Sequence, residues 1–228
     1  MITKLYNYTA INRTTIDGKR HYCLPDGSSV PSVTTILDRT KSEESKAALN
    51  NWRKRVGPQK AQEISTEAAG RGTRMHKWLE NFIKDGEIGL PGNNPFSIQS
   101  HAMANVVIFE GLANNVVQYW GVEVPVYYSG LYAGTTDCVA LWKGKPAIMD
   151  FKQTNKAKKR EWIEDYFLQL CAYALAHNNM YGTEIKTGVI LMCGASDNLY
   201  QEFVIENEEF DFYTAKWLER VERYHISN

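Results

Sequence analysis

The stretch from Gly121 to Lys152 limits the possible folds more than any other. Three β-rich runs, Val122 to Tyr128, Leu131 to Trp142 and Pro146 to Lys152, are separated only by Ser129-Gly130 and Lys143-Gly144-Lys145. Breaks that short join antiparallel neighbours, so the runs read as a three-strand meander. An amphipathic helix follows over about 160–180, then two more β runs, Lys186 to Cys193 and Leu199 to Ile205, and a closing helix over about 207–225. The order βββαββ is that of an α/β domain.

The N-terminal half is different. Residues 1–35 read as β, with Asp17-Gly18-Lys19 and Pro25-Asp26-Gly27 as turns, and Pro31-Ser32 leads into the apolar Val33-Thr34-Thr35-Ile36-Leu37. Helical pattern starts at about 43, where Ser42 or Ser45 can cap, and Gly57-Pro58 stops it. A second helix spans about 59–84. Gly70 and Gly72 within it cost about 1 kcal/mol each relative to alanine, which suggests close approach of another backbone or a break. After a Gly/Pro/Asn loop, a third helix is expected over 97–118, with Met103, Val106, Val107, Phe109, Leu112 and Val116 on a broad face. No linker separates two domains. The expectation is one domain over 1–228, with a β-hairpin and helical region in 1–120 and the core in 121–228.

At 228 residues, 43% hydrophobic and 23% charged, the chain is an ordinary globular protein and not a disordered or fibrous one. No apolar run reaches the length of a membrane span. The first residues show neither a secretory nor a transit-peptide pattern, so a cytosolic location is expected. Cys23, Cys138, Cys171 and Cys193 are too scattered for a zinc site and read as reduced thiols, the last three in apolar runs. Net charge is zero, but its distribution is uneven. Residues 51–80 and 121–160 each carry seven bases against three acids, and 197–228 carry eight acids against three bases. A neutral chain can therefore hold a basic groove, although solvated helix faces would produce the same blocks.

The residues with chemistry are Asp137, within a strand of apolar neighbours, and Asp150, at the end of Ala147-Ile148-Met149. A carboxylate is expensive to bury alone. Alternation sets Asp150 and Lys152 on one face and Phe151 on the other. Pairing about Lys143-Gly144-Lys145 is expected to bring Asp137 close to Lys152. Two carboxylates there can bind Mg²⁺ or Mn²⁺, and Lys152 can then act on water or on the phosphoryl charge. A structural salt bridge among the three would look the same at this level. Gln169 and Tyr173, at i and i+4, share a helix face with Tyr166 one turn earlier. Glu123 opens the first strand and is expected to face away from the core, and His76 stands on the second helix.

In this order, Gly72-Thr73-Arg74-Met75-His76, Glu123, Gly134-Thr135-Thr136-Asp137, Asp150-Phe151-Lys152 and Gln169-Leu170-Cys171-Ala172-Tyr173 resemble the RecB-like branch of the PD-(D/E)xK nucleases. Within it the chain most resembles the mitochondrial genome maintenance exonuclease group and its phage relatives. The likeness begins at Pro31-Ser32-Val33-Thr34-Thr35 and includes Asn51-Trp52-Arg53-Lys54-Arg55 and Gln153-Thr154-Asn155-Lys156.

The resemblance implies a restriction-endonuclease-like α/β core, a mixed sheet flanked by helices, behind a helical N-terminal region. It implies metal ligation by His76, Asp137, Asp150 and the main-chain carbonyl of Phe151, with Mg²⁺ or Mn²⁺ as cofactor. Lys152 is the implied catalytic lysine, with Glu123, Gln169 and Tyr173 as supporting catalytic residues. The implied activity is exonucleolytic cleavage of single-stranded DNA, the 5′ end favoured. The alternatives are a structure-specific or nonspecific endonuclease, and a catalytically silent DNA-binding relative. The helices over 43–56 and 59–84 would arch over the site, with Arg53, Arg55, Arg71, Arg74 and Lys156 as the expected DNA contacts. Trp52, Trp78, Trp120 and Trp162 are candidates for stacking bases. Phe151 stands where mitochondrial members carry Trp, and no C-terminal cysteine cluster for an iron–sulfur centre is present. A phage or bacterial source is favoured.

Overall fold

The computed structural model describes residues 2–227. Met1 and Asn228, the ends of the expected 1–228 domain, lie outside the described residues. The chain is α/β. A five-stranded mixed sheet has the order β4-β5-β6-β7-β8, with β4 (Val116–Tyr128), β5 (Tyr132–Trp142), β6 (Lys145–Thr154), β7 (Thr187–Gly194) and β8 (Tyr200–Glu206). All neighbours are antiparallel except β6 and β7, which are parallel and joined through helix α5 (Glu164–Tyr181). A separate antiparallel sheet is formed by β1 (Asn12–Ile16), β2 (Lys19–Cys23) and β3 (Ser29–Pro31). The remaining helices are α1 (Val33–Arg39), α2 (Glu43–Val56), α3 (Pro58–Asp85), α4 (Pro95–Val106) and α6 (Asn207–Ile226).

Helices cover both faces of the large sheet. On one face, Val139 of β5, Ile148 of β6 and Ile190 of β7 pack with Phe167, Leu170 and Ala174 of α5 and Trp217 of α6. On the other, Cys138, Met149, Phe151 and Leu191 pack with Met75, Leu79 and Ile83 of α3 and Met103 of α4. Among the described residues no helix is long and apolar enough to cross a membrane. Cys138, Cys171 and Cys193 are buried and Cys23 is exposed, all as free thiols.

Turn chemistry sets two of the hairpins. Asp17 and Gly18 (φ 49° and 70°) close β1–β2, and Lys143 and Gly144 (φ 47° and 82°) close β5–β6. Two successive positive-φ residues match the twist of an antiparallel ribbon. The meander, the later strands and the closing helix lie where the pattern expects them.

The structure corrects several expectations. The β expectation over 1–35 ends too late, because a helix, Val33–Arg39, begins at residue 33: the Ser32 hydroxyl caps it by accepting from the Thr35 amide at 3.0 Å, and this outweighs its β-branched residues. The expected helix over 97–118 ends early. After α4 comes one π-helical turn, Val107–Leu112, and the chain is strand from Val116. Pairing with β5 overrides the helical period there, at the expense of register shifts at Val116/Gln118 and Tyr119/Gly121.

Helix α3 runs unbroken through Gly70 and Gly72. A Cβ on Gly72 would meet only the Gln153 side chain, at 3.6 Å, so no backbone approaches it closely. Helix α5 is not amphipathic: Phe167, Leu168, Leu170, Cys171, Tyr173 and Ala176 are all buried, because sheet and helices enclose it. The β5–β6 register is also shifted. Cys138 pairs with Met149, which sets Asp137 level with Asp150 rather than with Lys152.

Arg71 of α3 is buried among polar partners. Its guanidinium donates to Gln153 Oε1 at 2.9 Å, to Glu67 Oε1 at 3.3 Å and to Asn155 Oδ1, and Gln153 Nε2 donates back to the Ala68 carbonyl at 3.2 Å. These bonds tie α3 to the end of β6. Arg71→Ala would leave the amide oxygens of Gln153 and Asn155 without that donor, and should lower unfolding free energy by about 2 kcal/mol or more. Arg53→Ala, on an exposed helix face, should stay within about 0.5 kcal/mol. Urea titration of the two variants reads the difference.

Candidate active site

A cleft of about 540 Å³ opens where β4, β5 and β6 meet α3, α5 and the first hairpin, and His76, Glu123, Asp137, Asp150, Lys152, Gln169 and Tyr173 all line it. Asp137, Asp150 and Lys152 project from the α5 side of the sheet. His76 arrives from α3, which packs on the other face and reaches round the sheet's end. His76 Nε2 donates to the Phe151 carbonyl at 2.8 Å, and its Nδ1 lies 3.5 Å from Asp137 Oδ1. Asp137 Oδ2 accepts from the Phe151 amide at 2.7 Å. The main chain of Phe151 is thus gripped from both sides while its ring fills the core.

Lys152 forms an ion pair with Asp150, and its Nζ lies 3.5 Å from Gln169 Oε1 and 4.9 Å from the centre of the Tyr166 ring. Gln169 in turn donates to Tyr173 Oη at 3.1 Å. Gly134 makes room for that tyrosine: a Cβ there would lie 2.5 Å from Tyr173 Cε1. Glu123 adopts φ 51°, a strained conformation for a residue of its type, and faces the cleft, as expected of a side chain turned from the core.

The electrostatics follow from burial. Desolvation disfavours a charged His76, but the facing Asp137 carboxylate outweighs it and lifts the imidazole to about 9. For Asp137 burial pushes up, and the His76 charge more than reverses it. For Asp150 burial wins, holding the carboxyl up at about 6 against the pull of Lys152. Burial opposes the Lys152 charge, but Asp150 and Asp137 keep it raised. Glu123 is raised by burial and then by Asp137.

The donor set fits a hard divalent cation. Ligand atoms of His76, Glu123 and Asp137 lie within 4.8 Å of one another. Asp150 Oδ2 is buried, and its charge is met by the Lys152 ammonium. Three carboxylates, one imidazole and the Phe151 carbonyl suit Mg²⁺ or Mn²⁺. Glu123, expected only in a supporting role, stands among the possible ligands.

The expected DNA contacts do not gather here. Arg71 is corrected outright: it is buried by the bonds that hold α3 and is unavailable to a strand. Arg74 lies over the Phe96 ring, 5.5 Å from its centre, in a different cleft. Arg53, Arg55 and Lys156 are exposed, and none of the three lines the cleft. Of the tryptophans, Trp120 is buried, Trp78 packs edge-on against His101, and Trp162 is exposed beneath Lys159. The cleft instead includes Arg13 and Arg20 of the first hairpin, which sequence reasoning missed. The signal was available. The Asp17-Gly18 turn fixes a register pairing Arg13 with Tyr22 and Thr15 with Arg20, which puts both arginines and Tyr22 on one face.

The five-stranded mixed sheet and its flanking helices are consistent with a nuclease-like α/β core. Over 208 residues the chain is 28% identical to mitochondrial genome maintenance exonuclease 1 of Mus musculus, covering 86% of this chain and 59% of that protein. The Homo sapiens protein of the same name is 27% identical over 205 residues, at 86% and 58% coverage, and that of Xenopus tropicalis 27% over 213 residues, at 86% and 57%. The chain is close to this exonuclease group, and it spans less than two-thirds of the length of these relatives. No protein family profile matches it.

The His76–Asp137 pair predicts a pH dependence in chelator. A raised histidine pKa contributes stability that is complete below 6.5 and is lost as pH rises through about 9. The thermal midpoint should fall across that window, and His76→Asn should flatten the fall. Added Mn²⁺ should raise the wild-type midpoint and leave Asp137→Asn nearly unchanged. An equal rise in both proteins would remove Asp137 from the ligand set.

Proposed function

We propose that this chain is a Mg²⁺- or Mn²⁺-dependent DNA exonuclease that hydrolyses phosphodiester bonds of single strands from a free end, the 5′ end favoured by the resemblance. The observation that carries the reading is the meeting of His76, Glu123, Asp137, Asp150 and Lys152 in one cleft, in a chain whose relatives are named exonucleases. His76, Asp137, Asp150, Glu123 and the Phe151 carbonyl hold the cation. When bound, it supplies Lewis-acid polarisation of the phosphodiester and a more acidic water. Lys152 meets the negative charge that grows on the phosphoryl oxygens, where an oriented cation in a dry site is worth most. Asp150, Gln169 and the Tyr166 ring orient that ammonium, and Tyr173 orients Gln169. By the resemblance, helices α2 and α3 would arch over the site, so that the strand would enter by its end.

Lys152→Ala should cost about 10²-fold or more in turnover while the Mn²⁺-dependent rise in melting midpoint persists. Near wild-type turnover would remove Lys152 from the chemistry. Oligonucleotides labelled at the 5′ or the 3′ end test polarity directly. With Mg²⁺, a linear single strand should be shortened progressively and a circular strand of the same sequence should resist. Equal rates on both would replace the exonuclease reading with an endonuclease. Binding of either strand without cleavage in any divalent metal would make the chain a silent DNA-binding relative.

A further inference from the structure

Arg13 and Arg20 stand apart from the other basic residues around the cleft. Both line it, both are exposed, and among the described residues neither has a carboxylate or hydrogen-bond partner for its guanidinium. Lys77, on the opposite wall, is paired with Glu80 at 3.0 Å. Arg71 and Arg74 are engaged as described above.

The hairpin that carries Arg13 and Arg20 is firmly seated. The Arg20 carbonyl accepts from the Ser32 amide at 3.0 Å and from Thr35 Oγ1 at 2.9 Å, Ser32 bridges to Ala133 of β5, and Tyr22 Oη lies 3.4 Å from Thr135 Oγ1. Its main chain is therefore fixed to the strand carrying Asp137, while the arginine side chains remain free for a ligand. A second cleft of about 480 Å³ adjoins the first and shares Arg20, Thr34 and Gln169 with it. It adds Lys19 and Lys41, whose charges converge on Asp38 at 3.6 and 2.9 Å. The two clefts make one groove with Arg20 at the junction, and the Lys152 partner Gln169 on its floor. Arg53 and Arg55 line neither part.

We infer that the first hairpin is a phosphate-binding subsite, in which Arg13 and Arg20 grip the backbone of the nucleic-acid strand as it passes the cleft. This rests on the nuclease reading above and moves the principal phosphate contacts from α2 and α3 to the hairpin. A guanidinium presents paired N–H donors that match two phosphate oxygens, and an unpaired one gives up no protein bond to do so. Contacts to phosphate in an open groove act on every sequence alike and weaken with salt. Arg20 is a positioning residue here: it sets where the backbone lies relative to Lys152 without touching the reacting atoms.

The test is steady-state hydrolysis of a labelled single-stranded oligonucleotide with Mn²⁺. The proteins compared are wild type, Arg20→Glu, Arg13→Glu, Arg20→Lys and the double variant Arg53→Glu/Arg55→Glu. Arg20→Glu should raise KM about tenfold with kcat changed much less, Arg13→Glu should move the same way, and Arg20→Lys should recover part of the loss. The salt dependence of log(1/KM) should become shallower by about 0.7 for each phosphate contact removed. The Arg53/Arg55 variant should shift KM less than Arg20→Glu. Melting midpoints of the single variants should match wild type, since only exposed side chains change. A wild-type protein that leaves the oligonucleotide uncut overturns the nuclease reading, and this inference falls with it. A wild type that cuts, with KM and salt slope unchanged in Arg20→Glu, overturns the hairpin subsite alone.

Discussion

Four charges share a space from which water is largely removed. The side chains of Asp150, Asp137, Lys152 and His76 are 1%, 14%, 19% and 29% exposed. None would be stable there alone, because burial disfavours every ionised group. Together they balance, with two carboxylates against an ammonium and an imidazolium, in the pairs Asp150–Lys152 and Asp137–His76. The pairs sit on three elements, β5, β6 and α3, so charge balance requires those elements to meet at one point. Removing one member leaves its partner's charge buried and unpaired, which costs more than the pair itself contributes. Glu123 adds a third carboxylate beside them, raised by burial first and by the Asp137 charge second.

Much of this was legible in the residues, and the failures have physical causes. Turn dipeptides marked two of the hairpins, and the apolar run Lys186 to Cys193 marked a strand, which the structure makes the buried β7, parallel to β6. Asp137, Asp150 and Lys152 stood out because carboxylates and a lysine among apolar strand neighbours need one another, and the family resemblance added His76, Glu123, Gln169 and Tyr173. Extending β to residue 35 followed the β-branched composition of 33–35 and overlooked a serine at the cap position. The helix over 97–118 was overextended because β4 reads as helical until its pairing with β5 is known. The register about Gly144 fell short because a turn's boundaries cannot be placed from composition to within a residue, and one such step moves the facing residue.

Arg71 was misread for a different reason. A basic residue in a basic block suggests an exposed contact, yet Arg71 falls in phase with Met75, Leu79 and Ile83 at intervals of four. That phase belongs to the buried stripe of α3. The arginine continues the stripe past the edge of the apolar core, to where the end of β6 offers the side-chain oxygens of Gln153 and Asn155. The strand that supplies Asp150 and Lys152 therefore also supplies the anchor for the helix that supplies His76.

The same phase determines where His76 points. One residue along a helix is a rotation of about 100°, and a step of four returns nearly to the starting face. With 71, 75, 79 and 83 turned inward, the adjacent line of Gly72, His76 and Glu80 borders the cleft, flanked by Thr73 and Lys77. Gly72 on that line adds no side chain to the wall one turn before the histidine. The imidazole thus needs no loop or hinge to reach the Phe151 carbonyl. Packing of Met75, Leu79 and Ile83 orients the helix, Arg71 ties it to the end of β6, and His76 arrives on the adjacent line. Hydrophobic packing on one face of the sheet and charge pairing on the other are in this way fixed by one helical register. A shift of one residue in α3 would put both Arg71 and His76 out of reach of β6.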